Sequence, residues 1–366
     1  MDKIRTTLIT GATGFIGGRI VEVLYLTGHR KVRAAIRQWS SAARLGRFPV
    51  DIVQMDLMKP EQITKALEGV DEIIHCAKGA YDVTVEGARN LLEAALQKKI
   101  KRFIHFSTTE VYGNVTGEID ESATLQYTGN EYNRMKIDAE KICWEYSKKG
   151  LPITVLRPSI VYGPFSNNWS VRFAQMFLKG EWGIYEKLGE GKCNLVFIDD
   201  LVHAAITCLD NESAVGQAFN INGPEIVSWN DYFRRFNKAM GLPELNTIRE
   251  GKANLRTAAM LPVRFAGKVV KNHFMEPVKK MAEIFPVMKK AMLKTEHQLK
   301  ITPVKDEFRM FGRDAVISSV KLDKHLNNKP VIDLKTGLRI TIDWLKVQGI
   351  MNNINNIQRN HHSILG

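Results

Sequence analysis

Tyr132 and Lys136 are the pair of residues whose types and spacing have the clearest chemical use. On a helix, residues four apart share a face, so the phenol and the ammonium group should be neighbours. A tyrosine has a reference pKa of about 10, too high for a base at neutral pH. A lysine charge about 4 Å away contributes roughly 4 kcal/mol at an effective dielectric near 20, or roughly three pKa units. The pair is therefore predicted to bring the pKa of the phenol near 7 and to move a proton on a substrate hydroxyl or carbonyl group.

A glycine-rich turn near the start of the chain supplies a context for this pair. A strand pattern is followed at once by Gly11, Gly14 and Gly17 and then by a helix pattern. Gly11 is predicted to allow the tight turn, Gly14 the approach of a pyrophosphate, and Gly17 the close packing of helix on strand. The helix N-terminus would face the phosphates with free N–H groups and a positive dipole end. The turn therefore predicts a dinucleotide site, whose nicotinamide would move the hydride while the tyrosine–lysine pair moves the proton.

Six short apolar runs must position these residues, and each is predicted to be a strand: Thr6–Thr10, Val32–Arg37, Asp51–Gln54, Glu72–Cys76, Arg102–Ser107 and Ile153–Arg157. Most interior positions of these runs are apolar, as in strands that helices cover on both faces. Amphipathic helices such as Val85–Gln97 lie between the runs. This alternation predicts an α/β fold with a doubly wound parallel sheet.

The alternation stops after Pro164, where isolated strands (Leu195–Ile198 and Ala218–Ile221) and short helices follow. The last helix is predicted at Leu334–Val347, before a polar, frayed tail at Asn352–His362. We therefore expect a dinucleotide-binding domain at residues 1–163 and a smaller mixed substrate domain at residues 164–366.

The composition is typical of a soluble globular protein, with 44% hydrophobic and 25% charged residues in a chain of 366. No apolar run is long enough for a transmembrane helix, and the N-terminus has no signal-peptide core. The four cysteines are scattered, which predicts buried thiols in a reducing compartment and no metal site. The prediction is a cytoplasmic protein. The basic balance does not favour nucleic acid as a partner, because no nucleic-acid-binding module is recognised.

The formal net charge of +13 is concentrated in one stretch, where eleven Lys or Arg stand against three Glu between Lys252 and Lys300. Apolar residues recur there at helical spacing, with the prolines 262, 277 and 286 expected to begin short helices. Three interpretations stay open: a stripe packed on the substrate domain with a solvated basic face, a contact with an anionic membrane surface, or a subunit contact in a homodimer.

The ordered motifs resemble the extended short-chain dehydrogenase/reductase family, which includes NAD-dependent epimerases and dehydratases. The resemblance runs along nearly the whole chain and implies a Rossmann-type domain. It rests on the G-x-x-G-x-x-G turn and on the segments Asp56-Leu57, His75-Cys76-Ala77, Ser107–Gly113, Tyr132-x-x-x-Lys136, Arg157–Pro164, Val196–Asp200 and Phe219–Gly223.

The resemblance implies roles for particular residues. Thr108 would be the catalytic hydroxyl that bonds the reacting oxygen, beside Tyr132 and Lys136, with Ser107 or Thr109 as alternatives one residue away. The cofactor would contact residues that follow the strands, besides Tyr132 and Lys136 themselves: Gly11, Thr13, Gly14, Phe15, Ile16, Gly17, Asp56, Leu57, Cys76, Ala77, Lys78, Ser107 and Pro158.

Three positions depart from the family's pattern. Thr109 replaces the acid of the Asp-Glu pair that drives water elimination in dehydratases, so a 4,6-dehydratase is disfavoured. Thr84 replaces a helix asparagine that lies near the active-site lysine in the family. Asn194 or a neighbour stands where many sugar-nucleotide enzymes place an arginine that grips a diphosphate.

The second strand predicts which dinucleotide is preferred. An NAD-specific site needs an acidic residue at the end of this strand, to accept hydrogen bonds from the ribose hydroxyls. The strand carries Arg33 and Arg37 and no acid. Because guanidinium is an always-charged bidentate donor, the two arginines suit a 2′-phosphate and predict NADP as the preferred cofactor, with NAD as the alternative.

These observations favour an NAD(P)-dependent oxidoreductase or epimerase acting on a hydroxyl or carbonyl carbon, with a sugar-derived (nucleotide-sugar) substrate. The alternative enzyme is an NADPH-dependent ketone reductase or a 3β-hydroxysteroid-dehydrogenase-like enzyme on a lipid-like alcohol. A non-catalytic dinucleotide-binding sensor is a third alternative, although a sensor would need only the glycine turn and not Tyr132, Lys136 and Thr108.

Overall fold

The computed structural model describes residues 4–269, 295, 299 and 302–351. The strands are β1 (Thr6–Thr10), β2 (Lys31–Ile36), β3 (Asp51–Gln54), β4 (Glu72–His75), β5 (Arg102–Phe106), β6 (Gly117–Ile119), β7 (Ile153–Pro158), β8 (Ile160–Tyr162), β9 (Ile184–Tyr185), β10 (Lys192–Phe197), β11 (Ala218–Ile221), β12 (Ile226–Ser228), β13 (Thr247–Ile248) and β14 (Ala315–Ile317).

The α-helices are α1 (Phe15–Thr27), α2 (Pro60–Ala66), α3 (Tyr81–Gln97), α4 (Glu131–Lys148), α5 (Arg172–Leu178), α6 (Ile198–Asp210), α7 (Trp229–Ala239), α8 (Glu250–Val269), α9 (Lys305–Phe311), α10 (Val320–Leu326) and α11 (Leu334–Val347). Shorter turns of 3-10 helix cover Trp39–Arg47, Thr109–Tyr112 and Glu212–Ala214, and a π-helical turn covers Asn167–Val171.

A seven-stranded sheet in the order β11-β7-β5-β4-β1-β2-β3 organises the first half of the chain. All neighbouring strands in it are parallel, which confirms the predicted doubly wound α/β fold. The six predicted strands are all present, and their ends differ by at most one residue from the prediction. Apolar side chains of α2, α3 and α4 cover one face, where Ile63, Leu91 and Ile142 pack with Phe103 and Val155 of the sheet.

The chain separates into two compact units, and this division differs from the predicted single boundary after residue 163. The first unit holds the described residues of 1–169, 194–226 and 315–337, and the second holds those of 170–193, 227–314 and 338–366. The chain returns to the first unit because β11, predicted as an isolated strand, pairs with β7 and becomes the outer strand of the sheet. A second return follows from the pairing of β14 with β6.

The second unit is built around aromatic side chains. Phe173 of α5 contacts Trp182 with ring centroids 5.4 Å apart, and Trp229 and Phe311 are 4.6 Å apart. Helix α8 also belongs to this unit, and it runs through Pro262, which was expected to begin a helix. A proline inside a helix lacks an N–H donor and crowds the preceding turn, so sequence alone favours a helix start there. Pro277 and Pro286 lie outside the described residues, as does most of the stretch Lys252–Lys300 and the tail Asn352–His362.

The first glycine turn of the chain is shaped by close backbone contacts. Gly11 has φ 64°, and a Cβ atom there would lie 2.8 Å from the backbone nitrogen of Ala77. A Cβ on Gly17 would lie 2.4 Å from the carbonyl oxygen of Gly11. Gly14 is exposed, donates its N–H to the carbonyl of Gly11 at 2.9 Å, and directly precedes α1. The first N–H groups of α1 lack intrahelical partners, so the turn presents backbone donors at the carboxyl end of β1.

Gly17→Ala is therefore expected to destabilise the protein by about 1–3 kcal/mol, because the added methyl group forces helix α1 away from the turn. Gly46→Ala is the matched control, since nothing lies within 4 Å of a Cβ at Gly46, and its effect should stay within about 0.5 kcal/mol. Urea unfolding of the two variants measures the difference. Equal midpoints for both variants would contradict the close contact.

Candidate active site

Helix α4 carries the candidate catalytic pair, and two asparagines fix how it begins. The side chain of Asn130 accepts a hydrogen bond from the N–H of Tyr132 at 2.8 Å and caps the helix. The buried amide of Asn133 donates to the carbonyl oxygens of Glu110 at 2.6 Å and Gln126 at 3.0 Å. These bonds hold the first turn of α4 against the segment that follows β5, where Thr108 lies.

Thr108 is the hydroxyl that the structure brings to Tyr132. The Thr108 hydroxyl lies close enough to the Tyr132 side chain to lower the pKa of the phenol, and Thr108 also accepts from the N–H of Glu110 at 3.3 Å. Ser107 and Thr109 are buried, and the hydroxyl of Ser107 has no hydrogen-bond partner in the described structure. Of the three adjacent hydroxyl residues, Thr108 is therefore the one placed to act with the phenol.

The electrostatics of Tyr132 differ from the expectation. Burial raises the pKa of the phenol above its usual value, the nearby Thr108 hydroxyl lowers it, and the Glu110 carboxylate raises it further. The predicted lowering toward neutral pH is wrong for this state of the protein, because the ammonium group of Lys136 points elsewhere. It donates to the carbonyl oxygen of Phe106 at 2.6 Å. Tyr132 is therefore protonated at neutral pH.

Lys136 itself is buried, and its charge is poorly solvated. Burial, together with the charge of Lys78, lowers its pKa from 10.5 to about 8. The ammonium group of Lys78 lies 5.3 Å from the centre of the Tyr132 ring, a distance at which a cation interacts with an aromatic face. Lys78 is exposed, and no carboxylate is paired with it among the described residues. A second cation therefore stands beside the tyrosine–lysine pair.

Two buried histidines lie near Lys136, and the sequence analysis quoted only His75, without giving it a role. His75 and His105 are opposite each other on β4 and β5, with ring centroids 5.5 Å apart. His75 shares a hydrogen bond of 2.7 Å with the hydroxyl of Thr10, whereas neither ring nitrogen of His105 has a partner in the described structure. Burial and the charge of Lys136 lower the pKa of His75 to about 3, and the pKa of His105 also lies well below its usual value. Both rings are therefore neutral near the buried cation.

Helix α4 is tied to the sheet by an ion pair one turn beyond Lys136. Glu140 and Arg157 are both buried, and the guanidinium group makes several hydrogen bonds to the carboxylate. Arg157 also donates to the hydroxyl of Tyr112 at 2.8 Å, and that hydroxyl donates to Asn220 at 2.6 Å. The spacing of Glu140 after Lys136 was a signal that the sequence analysis could have used, since it places both on one helix face.

The residues expected to contact a cofactor follow the carboxyl ends of the strands. Asp56 and Leu57 follow β3, and the amide of Asn90 holds the carbonyl of Leu57 at 2.9 Å. Cys76 and Ala77 follow β4, where the Ala77 N–H donates to Thr10 at 3.2 Å. Ser107 follows β5, Pro158 ends β7, and Thr13, Phe15 and Ile16 lie in the turn before α1 or in its first residues. Parallel strands place these segments along one edge of the sheet, which is the edge where ligands bind in open α/β folds.

The two arginines of the second strand have different surroundings. Arg33 donates to the Asp51 carboxylate at 2.5 Å and to the carbonyl oxygens of Ala66 and Glu68. Its guanidinium group is therefore occupied away from the carboxyl edge, which contradicts its predicted role at the cofactor. Arg37 directly follows β2, is exposed, and has no ion-pair partner among the described residues.

Arg44 is a residue at the glycine turn that the sequence analysis missed. It donates to the carbonyl oxygen of Gly14 at 3.1 Å, and its guanidinium carbon lies 3.9 Å from the centre of the Phe165 ring. A Cβ on Gly18 would lie 2.8 Å from that carbon, so the second of the two adjacent glycines makes room for the arginine. Burial lowers the pKa of Arg44 to about 10, with Arg47 and Arg19 adding to this effect and Glu22 opposing it.

Two of the positions at which this sequence departs from the family's pattern have structural roles of their own. Thr84 accepts from the N–H of Gly79 at 3.0 Å and so closes the loop between β4 and α3. Asn194 is buried, donates to the carbonyl of Ala315 at 2.8 Å, and accepts from the N–H of Ile317 at 2.9 Å. Asn194 therefore joins β10 to β14 and does not take the place of a phosphate-gripping arginine.

Comparison with known proteins identifies relatives of several activities. The chain is 29% identical to "Sterol demethylase protein B" from Methylococcus capsulatus, in an alignment that covers 61% of this chain and 73% of that protein. It is 26% identical to "UDP-glucose 4-epimerase" from Vibrio cholerae, in an alignment that covers 65% of this chain and 77% of that protein. The crystal structure of UDP-glucuronic acid 4-epimerase from Bacillus cereus in complex with NAD has the same fold, with a TM-score of 0.69, 20% identity and coverage of 94% of this chain and 99% of that one.

A family model gives the assignment that these relatives share. Residues 7–222 match the "NAD dependent epimerase/dehydratase family". The match covers the glycine turn, the Thr108, Tyr132 and Lys136 segments and the seven strands of the large sheet except the first residue of β1. The chain belongs to the NAD dependent epimerase/dehydratase family.

Proposed function

We propose that this protein is an NADP(H)-preferring oxidoreductase or epimerase that acts on a hydroxyl-bearing or carbonyl carbon of a nucleotide-sugar substrate. The observation that carries the proposal is the Thr108 hydroxyl beside Tyr132, with Lys136 one helical turn further along α4. In its protonated form Tyr132 can give a proton to a substrate oxygen, and Thr108 can hold that oxygen by a hydrogen bond. Lys136, one turn further along α4, donates to the carbonyl oxygen of Phe106 and would hold this helix against the end of β5.

The glycine turn fits a dinucleotide. The positive φ of Gly11 and the contact between Gly17 and Gly11 leave no space for side chains, so the first N–H groups of α1 are open to a pyrophosphate. The bound dinucleotide would supply the hydride. Residues of the turn and of the strand ends would hold it, with Arg37 at the 2′-phosphate and Arg44 beside the turn.

A second candidate is a dehydrogenase or ketone reductase of a lipid-like alcohol. The observation that favours it is the neutral, backbone-bonded Asn194, because the first unit then lacks at this position the cation that would grip a diphosphate. The relative named as a sterol demethylase protein agrees with this candidate.

Turnover with each cofactor separates the two candidates. Purified protein is given NADP⁺ or NAD⁺ with UDP-glucose in one arm and a 3β-hydroxysteroid in the other. An epimerase changes the sugar configuration, seen by NMR, without net change in cofactor absorbance, whereas a dehydrogenase forms one reduced cofactor per product. Absence of both reactions with all pairs would count against the two substrate classes but not against the proton-transfer residues, which the next variant tests.

Tyr132→Phe should lower turnover by about 10²–10⁴-fold, because only the proton carrier is lost. The affinity for NADP(H) should stay near that of the wild type, since the ring remains. Tyr127→Phe is the control. This tyrosine is exposed, and its hydroxyl donates to the carboxylate of Asp138. A Tyr132→Phe protein that keeps more than about a tenth of the rate would refute the assignment.

Lys78→Met should raise the pKa of Lys136 from about 8 toward its ordinary value, because the charge of Lys78 lowers it. NMR titration of ¹⁵N-labelled lysine side chains in the unliganded protein measures the shift. Lys98→Met removes an exposed lysine at the end of α3 and should leave the titration unchanged. An unchanged Lys136 titration in the Lys78 variant would show that the charge of Lys78 does not contribute to the lowered pKa of Lys136.

Arg37→Ala should narrow the preference for NADP(H) over NAD(H) by tenfold or more, since charge-assisted bonds to a phosphate contribute roughly 1.5–3 kcal/mol each. Arg33→Ala is a matched control on the same strand, because Arg33 is bonded to Asp51. Dissociation constants for both dinucleotides, from fluorescence titration, give the ratio. Equal affinities in the wild type, or equal effects of the two variants, would be inconsistent with the proposal.

A further inference from the structure

Phe165 has a backbone conformation that its residue type disfavours. Its φ angle is 68°, in the left-handed region where a residue with a side chain is strained and glycine is preferred. Lys99 and Asn327 are the other non-glycine residues with a positive φ in the described chain, and each lies within two residues of the end of a helix, where this conformation is common. Phe165 instead follows strand β8. Such strain persists only where surrounding contacts hold the residue in place.

The contact that bears on function is the one between the Phe165 ring and Arg44. The guanidinium carbon of Arg44 lies 3.9 Å from the centre of the ring. Gly18 of helix α1 touches the same group, since a Cβ atom there would lie 2.8 Å from that carbon. Arg44 also donates to the carbonyl oxygens of Gly14 at 3.1 Å and Phe15 at 3.4 Å. The arginine therefore connects the segment after β8 with the glycine turn after β1.

The positive charge of Arg44 is only partly compensated in this position. Its Nε and Nη2 atoms are buried and have no hydrogen-bond partner in the described structure. The carboxylate of Glu22 lies 3.9 Å from Nη2, but it is closer to Arg19, at 3.1 Å. Arg47 adds a further positive charge nearby. Because a buried charge without full pairing is costly, an anion bound close to Arg44 is favoured even where its charge acts without direct contact.

We propose that Phe165 is a positioning residue for dinucleotide binding, which acts by holding the Arg44 cation against the glycine turn. The carbonyl group of Gly14 that receives Arg44 belongs to the same turn whose N–H groups are open to phosphate. The cation thereby stays close to the phosphates of the dinucleotide, and the affinity for the cofactor depends on an aromatic ring that lies outside the turn. This role of Phe165 rests on the dinucleotide site of the proposed function.

NMR of the unliganded protein tests the contact between Phe165 and Arg44 without a cofactor. In ¹⁵N-labelled protein, the Nε–H signal of Arg44 is assigned by its loss in an Arg44→Lys variant. The ring current of Phe165 should displace this signal upfield, and its exchange with water should be slow because Nε is buried. Phe165→Leu should remove the displacement and speed the exchange. The same signal in both proteins would overturn the proposal.

A double-mutant cycle on dinucleotide affinity tests whether Phe165 acts through Arg44. Phe165→Leu should weaken binding by about 3- to 30-fold, the range of a contact between a cation and an aromatic ring. In an Arg44→Met protein, which lacks the cation, the same change should weaken binding by less than about twofold. Equal losses in the two backgrounds would overturn the proposal, since a ring with a merely structural role would weaken both proteins alike.

Titration of NAD(H) and NADP(H) in separate arms shows which phosphate feels the cation. Equal losses for the two dinucleotides would support an effect at the pyrophosphate, which both contain. A loss confined to NADP(H) would support an effect at the 2′-phosphate. Phe165→Tyr keeps the ring and should bind both dinucleotides within about twofold of the wild type. A Phe165→Tyr protein that binds as weakly as Phe165→Leu would overturn the role of the ring.

Phe48→Leu is the matched control. The ring of Phe48 lies 5.5 Å from the guanidinium carbon of Arg47, so its removal should leave dinucleotide affinity unchanged and show no coupling to Arg44→Met. Coupling equal to that of Phe165 would overturn the proposal. A wild-type protein that binds neither dinucleotide would refute the dinucleotide site of the proposed function and this role of Phe165 with it. Additive losses in a protein that does bind would refute the role of Phe165 alone.

Discussion

The hydrogen bond from the Lys136 ammonium group to the carbonyl oxygen of Phe106 joins helix α4 to the end of strand β5. A buried cation is costly unless its surroundings are arranged for it, and several features of the first unit do this. His75 and His105 stay neutral, so they add no positive charge. The Glu140 carboxylate, one turn away on the same helix, favours the charged form of Lys136 because it raises the pKa of the lysine. The lysine consequently keeps a proton at neutral pH, although its pKa is lowered to about 8.

The same burial decides the state of Tyr132. A phenol and an ammonium group both shift toward their neutral forms when water is removed, so the pKa of Tyr132 rises while that of Lys136 falls. A charge pair considered in isolation predicts a low phenol pKa, but that estimate assumes that the ammonium group faces the phenol. In the folded protein the Phe106 carbonyl receives it instead. The site therefore holds a protonated tyrosine, a hydroxyl partner in Thr108 and a cation nearby, which are the groups needed to protonate a substrate oxygen.

The two units use their polar groups in different ways. In the first unit, Asn133, Thr84 and Asn194 satisfy backbone groups at the loops and strand ends that surround the candidate site. In the second unit, Thr257 and Arg264 hold α8 from its polar side. A helix held in this way can expose Leu261 and Phe265 without losing its attachment. The aromatic side chains of Phe173, Trp182 and Phe311 in that unit are buried by contrast.

The sequence alone determined the parallel sheet, because period, glycine spacing and strand composition are local properties of the chain. It also placed Thr108 and the glycine turn directly after strands, and Tyr132 and Lys136 on one face of a helix. It could not determine that β11 completes the sheet. It also could not determine that Arg33 forms an ion pair with Asp51 whereas Arg37 has no ion-pair partner among the described residues. The position of the Arg44 guanidinium group against Gly18 was likewise not predictable. Nor could it place the Lys136 ammonium group at Phe106, or the apolar side of α8 in solvent. These outcomes depend on contacts between residues far apart in the chain, and burial, which sets the pKa values, exists only once those contacts have formed.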